Sequence, residues 1–594
     1  MGVVLLLASP LACKTPSTNV NVADPEGADA GEPSHTEATT SVPYAAVEKI
    51  EISSSVSGVG DMFDAASSIL NMWSPPEPGM PATNLLDFAK LAMIQEGFAP
   101  RFFESIDLDG THVLSFAFPQ DDQPQTTDAD IDLALSLASS NAADLVESMP
   151  QSMQPQPMGD NMWQSVEDEV LILFRARPRA LEIALSMADL DRAGMLAAQA
   201  SPTPRFQLRA SNLPAGDIDI SELIPMPDEG AGLMSSIFNE TTAVQFYADF
   251  GTDRAFSARA EAEAPFERLG LDPIGPATQR ESELAKTLPA GALGVWVMPW
   301  GDPGLLHTLL DKRIPIDQIP APFDGYVDDI VGGLHGVLGS IHNEVLATAY
   351  LDDKGNLTIV FAAEISDEAG ARKAMREIWG AAEKAFSDHI ALTDGSADHR
   401  YAVKFKVGAG RAGKFKTDHF SLTLPKSIQD SFENARSLLG KNPKLEISTV
   451  IADGKLVVAI GAGHRQFMAN LGRRLGKAKA GGLEAGGGLA LARGLSAGCQ
   501  HCVAIDPVQV GKMVFTIIAT DPDEPAAVQK AAKSAIQKLA KAGIEGEVAL
   551  AARFETGRGA LGFGIPKELL FIDAAKVKTV IDLFDSVDAA RVSD

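Results

Sequence analysis

Cys499 and Cys502, in AGCQHCVAIDP (497–507), are the pair whose types and spacing most nearly specify chemistry. Two thiols three residues apart can close a small disulfide, and at the start of a helix such a pair acquires a lowered thiol pKa and exchanges disulfides. Here Val503 to Ile505 reads as strand, and the helix signal comes only at Asp506-Pro507. A thioredoxin-like placement is therefore not predicted, and a local structural disulfide is the simplest expectation. Thiol–disulfide exchange, with His501 between the cysteines, stays open as an alternative. A structural zinc site would want four Cys or His ligands, and no second cysteine pair exists. Val503 stands where covalent haem attachment would need a histidine.

Other chemistry-bearing residues are weaker. His335 and His342 are seven apart and can share a helix face with Gly332, Gly336 and Gly339, and His307 would complete a three-histidine cluster if the fold brought it near. Asp107-Leu108-Asp109-Gly110 begins like a calcium loop but lacks the later ligands, so a turn is expected. The glycine-rich GAGRAG (408–413) reads as a hairpin loop between basic strands, and GAGHRQ (461–466) has no P-loop context. Trp296 and Trp300 bracket Pro299 at a strand exit, where packing is the expected role. No nucleophile elbow or metalloprotease motif is present. We assign no catalytic residue, no cofactor and no metal, and expect a non-enzymatic protein.

The elements that must position these residues follow one grammar: an alternating apolar strand, a Gly or Asp turn, a second strand, then an amphipathic helix. It is clearest in VLATAYLDDKGNLTIVFAAEISDEAGARKAMREIWGAAEKAF (345–386), with Ser366 as the expected helix N-cap and Ala371, Met375, Ile378 and Ala382 along one face. Asp453-Gly454 marks another hairpin. The pattern returns at 243–269 and 548–566. In a second unit a strand passes straight into a helix, at 170–188, 292–312, 502–518 and 569–584, with Pro178, Pro303 and Pro507 at expected first helical turns. A helix is expected over 130–148, between Pro- and Gln-rich loops. These units predict an α+β fold in two domains of divergent repeats, with antiparallel hairpin sheets carrying helices on one face.

A chain of 594 residues is too long for one core. Its formal net charge of −29 leaves no cationic surplus to displace phosphate counterions, which argues against nucleic acid as a partner. The charge is uneven: residues 1–300 hold 43 Asp and Glu against 15 Lys and Arg, whereas 301–594 hold 36 against 35. Together with the polar QRESELAKT (279–287), this puts an acidic domain at 44–280 and a second domain at 281–594.

The amino terminus supplies location. Val3 to Ala12 is small and aliphatic, and ten such residues are too few for a bilayer that needs about 20 in a helix. Pro10, Leu11, Ala12 and Cys13 then resemble the lipobox that ends the signal of bacterial lipoproteins, with Ala12 and Cys13 matching its last two positions. The resemblance implies a signal peptide over 1–12 and lipidation of Cys13. The segment 13–43 lacks large apolar side chains and is expected to be a disordered tether. Lys14 after the cysteine points, by analogy with enteric lipoproteins, to the outer membrane. The body is similar to uncharacterised exported bacterial proteins. The expectation is a lipid-anchored cell-envelope protein that reaches the membrane through Cys13 and serves as a binding or structural module for an unknown protein partner. Two alternatives are a carrier of lipid or another apolar ligand, and a thiol oxidoreductase centred on Cys499 and Cys502.

Overall fold

The computed structural model describes residues 49–592 with gaps, of which the longest are 120–130, 214–238, 267–278, 308–322, 393–401 and 424–443. The signal, the tether, Cys13 and Pro303 lie outside the described residues.

The fold is α+β, as the hairpin grammar requires. Residues 49–265 supply ten strands: β1 (Lys49–Ser57), β2 (Thr111–Pro119), β3 (Asp132–Ala138), β4 (Gln156–Gly159), β5 (Met162–Glu167), β6 (Val170–Arg177), β7 (Ala180–Ala184), β8 (Phe206–Ser211), β9 (Ala243–Gly251) and β10 (Arg254–Glu263). Their helices are α1 (Val59–Trp73), α2 (Leu85–Gln95), α3 (Arg101–Ser105), α4 (Ala142–Glu147) and α5 (Met187–Gln199). The remainder adds β11 (Ala292–Pro299), β12 (Ile341–Leu351), β13 (Leu357–Ile365), β14 (Ala402–Ala412), β15 (Phe415–Thr423), β16 (Lys444–Ala452), β17 (Lys455–Ile460), β18 (His501–Ile505), β19 (Val548–Glu555) and β20 (Arg558–Ile565). With them come α6 (Glu283–Thr287), α7 (Phe323–Ser340), α8 (Glu368–Leu392), α9 (His464–Gly472), α10 (Gly488–Leu495), α11 (Pro507–Thr520), α12 (Ala526–Leu539), α13 (Lys567–Leu570) and α14 (Ala574–Val592).

Every pairing is antiparallel, and together they join all twenty strands in one sheet. From β4 the order runs β5, β6, β7, β3, β2, β1, β8, β9 and β10. It continues through β20, β19, β18, β11, β12, β13, β17, β16 and β15 to β14. The sheet thus crosses the position where composition puts the domain boundary: β10 pairs with β20 from Phe256 opposite Ile565 to Ala262 opposite Gly559. The apolar cores on the two sides are nevertheless separate. One gathers Phe102, Leu135, Leu145, Phe174 and Leu181, and another gathers Val295, Leu346, Val360, Leu471 and Leu489.

Several sequence expectations need correction. The segment read as a helix over 130–148 is strand β3 followed by the single turn and a half of α4, because Leu133, Leu135 and Leu137 alternate and so suit the two-residue period of a sheet. Pro178 lies in the tight turn between β6 and β7 rather than in a helix. The unit at 569–584 holds no strand, only the end of α13 and the start of α14. At α8 the cap is Asp367, whose Oδ1 accepts from the amides of Ala369 and Gly370, while Ser366 Oγ donates to the Ser340 carbonyl. Pro507 does occupy the first turn of α11, capped by Asp506. Asp453 and Gly454 both take positive φ, 53° and 69°, the backbone that a two-residue hairpin turn demands.

Helices pack on both faces of the central strands: α9 and α10 with Leu346, Val360 and Val457 on one, α7 and α8 with Ala363, Ile365 and Leu456 on the other, and the part of the second face beside α7 and α8 is open. Register aligns Phe361, Ala347, Trp296, Val503, Leu550 and Phe563 across six neighbouring strands. Trp296, Phe361, Leu550 and Phe563 in that row are exposed.

Candidate functional site

The cysteine pair is enclosed. Cys499 precedes β18 and Cys502 lies within it, their sulfurs are at bonding distance, and their Cα atoms are 5.6 Å apart. Both belong to the buried core around Val295 and Leu489. No helix starts at either cysteine; α11 begins five residues after Cys502. His501 stacks against Trp296 on the open face at 5.8 Å, and burial pushes its pKa down. A sulfur that is covered on every side cannot be attacked by an external thiolate in this conformation.

The three histidines singled out by spacing are only partly brought together. His307 and His335 stack with ring centroids 4.5 Å apart. His342 is not on that helix at all: α7 stops at Ser340, and His342 falls in β12. Asp107 makes the expected turn, its Oδ1 accepting from the amides of Asp109 and Gly110. GAGRAG is largely strand, forming the end of β14, with the turn at Gly413. Trp300 is buried, whereas Trp296 is 42 % exposed.

Two arrangements escaped the sequence. The first is an apolar cavity of about 280 Å³ between the acidic half of the sheet and the layer of α1, α2 and α3. Met62 and Phe63 of α1, Leu86 and Met93 of α2, and Phe102 and Phe103 of α3 form much of its wall. Strand β2 contributes the one polar side chain lining it, His112. His112 is 6 % exposed, and its Nδ1 accepts the Ala138 amide at 3.2 Å. That bond fixes the proton on Nε2, which is buried without a partner. Burial pushes the His112 pKa down, and the backbone and charge of the nearby Asp107 pull it part of the way back. In THVLSFAFP the histidine is the one titratable residue of a mostly apolar strand, which is the only trace of the site in the sequence.

The second arrangement joins His419 on β15, Glu446 on β16 and His464 at the start of α9. His419 pairs with Ser448, so Glu446, two residues along β16, lies diagonally across from it on the same face. His419 Nε2 is 3.7 Å from Glu446 Oε1, and His464 Nδ1 is 3.6 Å from Glu446 Oε2. The Gly461 carbonyl oxygen is 2.9 Å from the same Nδ1. Burial pushes both imidazoles down, and Glu446 pulls them part of the way back. Burial pushes the Glu446 carboxyl up, but its bond to Lys444 and the nearby His464 and Arg465 outweigh that and leave it below the ordinary value. Only the β15–β16 register could have revealed this meeting.

In comparisons with known proteins, no family model, curated protein or solved structure matches the chain.

Proposed function

We propose that this chain is a lipid-anchored, non-enzymatic protein of the bacterial cell envelope that carries a small neutral apolar ligand. The body is tethered through Cys13, whose surroundings resemble a lipobox, and the ligand occupies the cavity under α1, α2 and α3. The observation that carries the reading is an apolar chamber whose lining holds a single polar side chain, His112, with its Nε2 buried and unpaired. An unmade buried hydrogen bond costs about 1–3 kcal/mol, which a ligand acceptor would recover. The chamber has nearly twice the volume of the ~150 Å³ engineered cavity that binds benzene. It suits a compact hydrocarbon body with one ester, ketone, ether or hydroxyl oxygen. A carboxylate suits it less, because the neutral imidazole offers no counter-charge. Exposed Phe88 and Leu91 on α2 give the same helix an apolar outer surface suited to touching a bilayer. The oxidoreductase alternative lacks comparable support, since both sulfurs are covered.

Extraction of protein purified from its native membrane, followed by lipid mass spectrometry, is expected to release a stoichiometric neutral apolar molecule; a clean blank together with failure to take up apolar probes would remove the carrier reading. His112→Phe is expected to weaken an acceptor-bearing probe by about 5–30-fold, the equivalent of roughly 1–2 kcal/mol, while a hydrocarbon of equal size binds as before. Equal loss for both probes would mean the donor is not used. Intact mass measurement is expected to find acyl chains on Cys13, and an unacylated chain retaining Met1 would remove the anchor.

A further inference from the structure

We propose that His419, Glu446 and His464 form a binding site for a zinc-like divalent cation. One donor atom from each of the three lies within 4.8 Å of the other two, and among the described residues this is the one such group of three. Zinc bonds to nitrogen and oxygen of about 2.0–2.2 Å at tetrahedral angles place ligand atoms about 3.3 Å apart. The separations of 3.7 Å from His419 Nε2 to Oε1 and 3.6 Å from His464 Nδ1 to Oε2 need only a small inward turn of the side chains. The Gly461 carbonyl, 2.9 Å from His464 Nδ1, is placed as a further oxygen donor once the metal has displaced the proton on that nitrogen.

The scaffold holds the donors from three directions. Strand pairing between β15 and β16 fixes His419 and Glu446, and the turn from Gly461 to His464, closed by the His464 amide on the Gly461 carbonyl at 3.1 Å, fixes the third. His464 is almost fully buried, so its ring cannot swing away into solvent. Lys444 Nζ sits 2.9 Å from Glu446 Oε1 and Arg465 Nη2 sits 3.4 Å from it. These two cations occupy the carboxylate in the absence of metal and compete with it. Arg465 is exposed and Lys444 partly so, which leaves both free to move outward as the metal arrives. The competition gives the proposal a signed consequence: neutralising Lys444 should tighten the metal.

The full chain, stripped with chelator and kept free of reductant so that Cys499 and Cys502 do not contribute ligands, would be titrated with zinc, and with cobalt(II) for its visible absorption. One equivalent is expected to bind. Glu446→Gln is expected to weaken it at least tenfold, and Lys444→Met, which removes no ligand and lies at the surface, to tighten it severalfold. No binding to either the parent chain or Lys444→Met would overturn the proposal. Binding that Glu446→Gln leaves unchanged would overturn it equally, locating the metal elsewhere, as at the His307 and His335 pair.

Discussion

Replacing Arg493 with methionine is expected to destabilise the chain by about 3–5 kcal/mol, because it strands a buried carboxylate. Arg493 of α10 donates through Nη1 and Nη2 to the two oxygens of Glu484, at 3.1 and 2.7 Å, and both side chains are over nine-tenths covered. Glu484 in turn accepts the Ser282 amide at 2.6 Å, and so ties α10 to the cap of α6 just ahead of β11. Glu344 and Glu547 stand near enough to feel its charge. Arg493 is thus the cation that compensates Glu484, the carboxylate whose charge the other two feel. The double variant Glu484→Gln/Arg493→Met keeps an acceptor for Ser282 and removes the charge, so it should regain more than half of the loss. Urea unfolding followed by tryptophan fluorescence reads both. A single variant within about 1 kcal/mol of the parent, or a double variant as unstable as the single, would show that the pair does not matter as argued.

Local rules read hairpins well and helices unevenly. Where a turn needs positive φ, as at Asp453-Gly454, the residue types announce it, and where apolar residues alternate, as from Val345 to Phe361, the strands follow. The misplaced helix over 130–148 shows the limit: Ala, Ser and Leu in DLALSLA are tolerated by either structure, and the partner strands β2 and β7 decided between them. That one sheet crosses both halves was not legible, since the β10–β20 pairing joins residues some 300 positions apart. The sites were less legible still. CxxC spacing brings two sulfurs together without saying that the core will cover them. His112 gains its meaning from three helices that roof it, and His419 from a neighbour 27 residues later in the sequence, the difference between 446 and 419. Chemistry made by register leaves no local pattern. The same is true of charge, because the acidic cluster around Glu344 draws on residues from 344 to 547.

Glu344 should make the chain lose stability as pH rises from about 4.5 to about 7. Its carboxyl is pushed up to about 7, chiefly by burial and further by Glu364 and Glu484, although it accepts the Leu284 amide at 2.7 Å and the Ser282 hydroxyl at 3.0 Å. In the unfolded chain the same group titrates near 4.3. Between those values the folded state holds a proton that the unfolded state has released, so the contribution is complete below about pH 4.5 and disappears as pH climbs past 7. The gap between those two values corresponds to roughly 3 kcal/mol once partial solvent screening of the group is allowed for. Glu344→Gln keeps an acceptor for Leu284 and Ser282 but cannot ionise, and should therefore match the parent near pH 4.5 and exceed it by up to about 3 kcal/mol at pH 8. Glu547, raised by burial as well, and the buried histidines contribute to both proteins and cancel in the difference between them. Parallel curves for the two proteins from pH 4.5 to 8 would mean that Glu344 is solvated and ordinary. The two carboxylate predictions are also coupled: without Arg493 the charge of Glu484 is bare, so in the Arg493→Met background the midpoint of the Glu344 effect should move to higher pH.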